Sequence, residues 1–431
     1  MLRSSLLSLL VLSAPLAARA AEPEPGARGG AGLAIRCAKA LVCAEDWEEP
    51  QVVNRATVLV RDGLIEAVGR SAELEVPAGY ELVDVGERWV MPGMIDLHNH
   101  IAGSGGLNDT VFQANPGLRI AGSVQPLNPS LRRSMAAGVT TVLFIPGSGS
   151  NVGGVGVLVK TGLPLYEEAE LRQPGSLKVA QGDNPTRWGY GMGRVMMNWV
   201  IRNTFQRGVE YAAAWTAFEE GTGARPDVDP QFEIFRALVA GQAQISTHTQ
   251  VPQLVYATIR IAWEEFGLPV YLDHSTVGGY VYGELAESYG IAAICGPRSI
   301  DSTARRSLSW MNRTPNVEGI RGVAAGYQAA GHTRIGFNTD APVIPGEDLF
   351  LQAAVGVRYG LDDSRLESVR GLTIVPALAA GIEDRVGSLE VGKHADLLVI
   401  QGHPADPRNA VDQVFIEGRR VYDADSAERV Y

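Results

Sequence analysis

Hydrophobic and polar positions divide the chain into three stretches. From Leu33 to about Val90, short apolar runs are broken by turn residues, the pattern of β-strands. Thr57-Val-Leu-Val-Arg-Asp-Gly-Leu-Ile-Glu-Ala-Val predicts a hairpin, with Asp62-Gly63 as its two-residue turn. The C-terminal stretch has the same style. Ala395-Asp-Leu-Leu-Val-Ile and Gln413-Val-Phe-Ile-Glu-Gly-Arg-Arg-Val-Tyr read as strands, with Glu417-Gly418 at a second turn. Two β-rich ends around a different middle predict one small β-sandwich, built from residues 33–90 and 385–431.

The middle, residues 91–384, alternates apolar strand-like runs with helical stretches, which points to α/β architecture with parallel βαβ units. The strand candidates are Met94–His100, Thr140–Pro146, Val155–Lys160, Leu177–Gln181, Gln244–His248, Pro269–His274, Ala292–Cys295 and Ile335–Asp340. Eight is the number that a closed (β/α)8 barrel of TIM type needs. The third is surrounded by glycines and reads equally as a loop. The longest crossover, about residues 183–243, predicts a helix near Arg194–Glu219. It is long enough to cover the barrel mouth, and equally suits an ordinary outer helix.

Composition narrows the class. Of 431 residues, 45% are hydrophobic and 20% charged, as in an ordinary globular protein. A net charge of −11 argues against nucleic acid or an anionic membrane as partner. It does not select a substrate, although a small molecule is the partner expected. Residues 1–20 read as a signal peptide, with Arg3, a short apolar core from Leu6 to Leu16, and the small-x-small site Ala18-Arg-Ala20. Export to the periplasm or the medium is the expectation. Residues 21–32 form a Glu/Pro/Gly/Ala-rich leader expected to be disordered. Export permits disulfides, and Cys37 and Cys43 either pair across neighbouring strands or stay buried as thiols; Cys295 reads as core.

Candidate chemistry is concentrated in Met91-Pro-Gly-Met-Ile-Asp-Leu-His-Asn-His100. Side chains alternate along a strand, so His98 and His100 share a face and can grip one divalent ion. Of seven histidines, His248 closes one apolar run and His274 another, while Asp340 ends Arg334-Ile-Gly-Phe-Asn-Thr-Asp. Four histidines and an aspartate at strand ends form the ligand inventory of a hydrolytic zinc site. His332, His394 and His403 need no special role.

With this set, the Asn-Thr-Asp-Ala-Pro segment and the tail Arg385-Val-Gly-Ser-Leu-Glu-Val-Gly-Lys-His-Ala-Asp-Leu-Leu-Val-Ile, the chain resembles the amidohydrolase superfamily, of the imidazolonepropionase-like or dihydroorotase-like kind. The resemblance covers nearly everything after about residue 30. It implies one or two Zn²⁺ (or other divalent ions) per chain, held by His98, His100, His248, His274 and Asp340, with Asp340 also taking the proton from the attacking water. A homo-oligomer also fits. Family members often bridge two ions with a carbamylated lysine on the fourth strand. Lys178 lies on the fourth candidate and Lys160 on the third, so Lys178 is the expected site of the CO2-derived carbamate, with Lys160 as the alternative.

Ring deaminases of the family commonly carry Glu three residues after the fifth-strand histidine, where this chain has Val251. Hydrolysis of an amide, cyclic amide or dipeptide is therefore favoured over deamination, with a lactonase or esterase also open. Arg298, just past the seventh strand, and Asn184, Arg187 and Tyr190, past the fourth, are candidates to hold substrate. Two rival classes are a degenerate barrel that only binds and an exported β-rich binding protein. The complete ligand set speaks against the first and the alternating middle against the second.

Overall fold

The computed structural model describes residues 32–188, 192–275, 278–297, 300–302 and 320–426. Five strands open the chain: β1 (Leu33–Leu41), β2 (Val52–Arg61), β3 (Leu64–Arg70), β4 (Glu81–Asp84) and β5 (Trp89–Pro92). The turn between β2 and β3 is the expected one, with Asp62 at φ 53° and Gly63 at φ 83°. Positive φ at both central positions matches the twist of the paired strands.

The central strands follow: β6 (Met94–Asn99), β7 (Val139–Phe144), β8 (Val152–Val155), β9 (Val157–Lys160), β10 (Glu170–Arg172), β11 (Ser176–Ala180), β12 (Gln244–Thr249), β13 (Val270–His274), β14 (Ala293–Cys295), β15 (Ile300–Ser302), β16 (Ile320–Gly322) and β17 (Ile335–Phe337). The chain closes with β18 (Leu397–Ile400), β19 (Val411–Ile416) and β20 (Arg419–Asp423). Glu417 and Gly418, at φ 48° and 70°, make the second hairpin turn.

Both ends share one eight-stranded sheet in the order β20-β19-β18-β5-β1-β2-β3, with β4 also on β1. Strand alternation gives this sheet two apolar faces. Val90, Leu397, Val399 and Phe415 join a core with Ile35, Val58 and Val60, while Met91, Leu398, Ile400, Val414 and Ile416 pack into the main core of the central strands. Cys37 on β1 and Cys43 just past it are buried free thiols, as is Cys295. Cys37 and Cys43 lie on one stretch of chain, not on neighbouring strands, so the pairing considered from the sequence does not form.

The central strands build a TIM-barrel-type α/β fold from two ladders, β10-β9-β7-β6 and β17-β14-β13-β12-β11-β8. From β11 to β17 every pairing in the second ladder is parallel. The expectation of parallel strands throughout fails at the third position. There β9 runs antiparallel to β7, and β8 antiparallel to β11. A short loop, not a helical crossover, separates β7 from β8, so the chain must return in the opposite direction. Gly156 divides β8 from β9 where it crosses between the ladders; a Cβ there would lie 2.7 Å from Ile145 Cγ2 and 2.9 Å from the Phe144 carbonyl oxygen.

On the other side, β6 approaches the segment beyond β17 through a parallel bridge, Asn99 to Ala341, and His100 N donates to Ala341 O at 2.9 Å. Asp96 reinforces this seam by accepting from Thr339 N at 3.3 Å and Thr339 Oγ1 at 2.5 Å.

The predicted long helix spans Arg194–Glu219. Its buried residues Met197, Ile201, Thr204, Phe205, Gly208, Ala212 and Trp215 follow helical spacing along one stripe. Phe205 and Ala212 join a core with Val155, Leu177, Val179, Ile245 and Phe235. That stripe therefore packs along the outside of the central strands, as an ordinary outer helix does. No helix among the described residues is long and apolar enough to cross a membrane.

Candidate metal centre

The C-terminal ends of β6, β12 and β13, and the turn after β17, converge on one buried spot. Such strand ends carry the working residues of barrels of this type. His98 Nε2 lies 3.1 Å from His100 Nε2, and His274 Nε2 lies 2.9 Å from His248 Nδ1. Asp340 Oδ1 is 3.3 Å from both His98 Nε2 and His100 Nε2, and its Oδ2 is 3.6 Å from His274 Nε2. One ligand atom from each of His98, His248, His274 and Asp340 falls within 4.8 Å of all the others. His274 at φ 71° and Asp340 at φ 50° hold left-handed backbone that side-chain-bearing residues seldom adopt. Strain of this kind gathers where a site must be shaped.

The outer ring nitrogens decide what the inner ones can do. His100 Nδ1 donates to Ile145 O at 2.9 Å, and His274 Nδ1 donates to Gly296 O at 2.7 Å. His98 Nδ1 faces Asp273 Oδ2 at 2.7 Å. A neutral imidazole with its proton on Nδ1 carries a lone pair on Nε2. Three such lone pairs and a carboxylate face one another in a buried space, an arrangement that a divalent cation balances.

Lys178 stands beside this cluster, fully buried, with Nζ 3.1 Å from His98 Nε2. Lys160 does not. Its Nζ is 2.5 Å from His394 Nδ1 and 3.1 Å from both Asp396 Oδ1 and Glu417 Oε1, where β9 meets the terminal sheet. The antiparallel return through Gly156 carries β9 to that end of the fold.

Residues 301–421 match the amidohydrolase family. A solved amidohydrolase from Thermotoga maritima MSB8 superposes with a TM-score of 0.77 at 28% identity, covering 91% of this chain and all of that one. The imidazolonepropionase of Deinococcus radiodurans is 24% identical over 93% of this chain and 97% of its own length. Amidohydrolase tasK of Hapsidospora irregularis is 26% identical over 85% of this chain, which spans only 40% of that protein. The chain belongs to the amidohydrolase superfamily.

As an amidohydrolase it is a hydrolase acting on carbon–nitrogen bonds, and its His/Asp cluster can hold the divalent ion typical of the family. The electrostatics suit such a site. Burial, aided by Lys178, keeps His98 neutral far below the usual imidazole range, and burial likewise brings His274 down to about 4 despite Asp340. Burial opposes the charge on Asp340, but the neighbouring His274 and His100 outweigh it and hold this carboxyl below its usual value. Burial also lowers Lys178 to about 8, against the pull of Asp273 and Asp340. Its amine is thus far more often neutral near pH 7 than that of an exposed lysine.

Of the candidate substrate residues, Asn184 is half-buried on the helix Asp183–Trp188 beyond β11. Arg187 belongs to that helix, but its side chain, like Tyr190 and Arg298, lies outside the described residues. Val251, where ring deaminases carry Glu, is fully buried and packs with Leu254. Sequence reasoning missed Asp273, which grips His98, and Ser148, whose Oγ is 3.1 Å from His248 Nδ1. An acidic residue directly before His274 was a signal for Asp273. Ser148, in a glycine/serine loop after β7, offered none.

Proposed function

We propose that this chain is an exported metal-dependent amidohydrolase that cleaves an amide, cyclic amide or dipeptide C–N bond. One observation carries this reading: the lone pairs of His98, His100 and His274 converge with the Asp340 carboxylate beside buried Lys178. His98, His100, His248, His274 and Asp340 would hold one or two Zn²⁺, and a carbamate on Lys178 would bridge a pair. Bound there, the ion supplies Lewis acidity and lowers the pKa of water. Asp340, charged and within reach of three imidazoles, takes up the proton of the attacking water and delivers it to the leaving nitrogen. Val251 offers no second proton carrier, which favours amide hydrolysis over deamination. The imidazolonepropionase relatives, matched over most of their length, support hydrolysis at a C–N bond.

On this reading the two central ladders are halves of one (β/α)8 barrel, residues 91–384, closed across Gly156 and the Asp96–Thr339 seam. Residues 33–90 and 385–431 form the accessory β-sandwich, and residues 1–20 direct export. The test is metal analysis of the purified chain with a hydrolysis screen over dipeptides, N-acyl amino acids, lactams and cyclic ureides. One to two zinc ions per chain and turnover in one of these classes are expected. A chain that takes up no divalent metal overturns the proposal.

A further inference from the structure

Four histidines meet at the candidate metal centre, and three have their outer ring nitrogen tied down. His98 uses Asp273, His100 the Ile145 carbonyl and His274 the Gly296 carbonyl. His248 differs. Its Nδ1 faces the cluster, 2.9 Å from His274 Nε2, while its Nε2 is buried and has no hydrogen-bond partner. A histidine that binds metal through one nitrogen needs an acceptor on the other, to fix the tautomer and the ring orientation. A buried N–H left unpaired is also costly.

A second unpaired atom lies close by. Gln250 Oε1 is buried without a partner, two residues along the chain from His248. Both groups border Gly182, just beyond the end of β11. A Cβ on Gly182 would come 2.7 Å from Gln250 Oε1 and 3.5 Å from His248 Cδ2, the carbon bonded to Nε2. The donor without an acceptor and the acceptor without a donor thus share one small space, which a side chain at 182 would fill.

We propose that Gln250 is the positioning residue for His248, its carboxamide oxygen accepting the Nε2 proton directly or through one water, in the space that Gly182 leaves open. This rests on the metal-centre reading. Gln250 sets the tautomer that presents Nδ1 to the ion and takes no part in proton transfer itself.

The test compares wild-type chain with Gln250→Ala, Gln250→Glu and Gly182→Ala. Zinc affinity is read by competition with a chelator, and the His248 tautomer by NMR of ¹⁵N-histidine-labelled protein, assigned with His248→Ala. Gln250→Ala and Gly182→Ala should each weaken zinc binding by about ten- to a hundredfold and lose the single Nε2–H tautomer, with an unchanged circular dichroism spectrum. Gln250→Glu, which keeps an acceptor, should stay close to wild type. Wild-type affinity and tautomer in Gln250→Ala overturn the assignment of Gln250 and leave the metal centre standing. No zinc uptake by wild-type chain overturns both.

Discussion

At the scale of single residues, the site depends on which atom each side chain presents. His98 and His100 are engaged through Nδ1 and offer Nε2. Changing either to Ala should remove bound metal and turnover while the far-ultraviolet circular dichroism spectrum stays near wild type, because each is a small part of a large core. Normal turnover in either variant would end the assignment. The two buried lysines separate in the same way. Lys178→Ala should lower bound zinc from about two per chain towards one, since two close dications repel by several kcal/mol even at an effective dielectric near ~20. Short carboxylic acids such as acetate should restore part of the activity by filling the bridging position. Lys160→Ala should keep the metal, because that amine lies with His394, Asp396 and Glu417 instead. Metal stoichiometry of the two variants, measured side by side, decides the matter.

At the scale of elements, Lys160 fastens β9 to the terminal sheet. Asp396 and Glu417 face its ammonium, and removing the cation leaves a buried carboxylate uncompensated, a loss of about 3 kcal/mol. Lys160→Met should therefore lower the melting temperature with metal content unchanged. The pH dependence has a definite sign. Burial raises Glu417, but the charge and hydrogen bond of Lys160 outweigh it and hold its folded-state pKa below the usual value. A carboxyl lowered by folding stabilises fully above its unfolded pKa of about 4.3, and that stability fades as pH falls through the lower folded value. Wild type should lose its advantage over Lys160→Met as the pH drops below about 4. An equal gap between the two melting temperatures at pH 7 and pH 3 would contradict this.

At the scale of the whole molecule, the shared sheet makes the two chain ends one structural unit, with β5 paired to both β1 and β18. Truncating β18 to β20 should therefore unfold the N-terminal strands as well, seen as loss of amide-exchange protection in β1 and β2. The first residue of exported protein, read by N-terminal sequencing, should be Ala21 or one within a few positions of it, and intact Met1 on cytoplasmic protein would sink the export proposal. Chelation should lower the melting temperature of metal-loaded chain, because an ion that binds only the folded state stabilises it by mass action.

Much of this was legible in the sequence because it is local. The period-2 alternation of β6 placed His98 and His100 on one face, and the Asp-Gly and Glu-Gly pairs announced both hairpins. The long crossover of residues 183–243, uneven in polarity near Arg194–Glu219, already announced a helix there. What lay beyond reach depends on contacts between residues distant in sequence. The antiparallel course of β8 and β9 is decided by their neighbours β7 and β11, since a strand carries the same alternation in either direction. That reversal separates Lys160 from Lys178, two residues that look alike in sequence. Asp273 and Ser148 join the site only because β13 and the loop after β7 are carried to the ends of β6 and β12, and a side chain's partner is set by where the fold brings it.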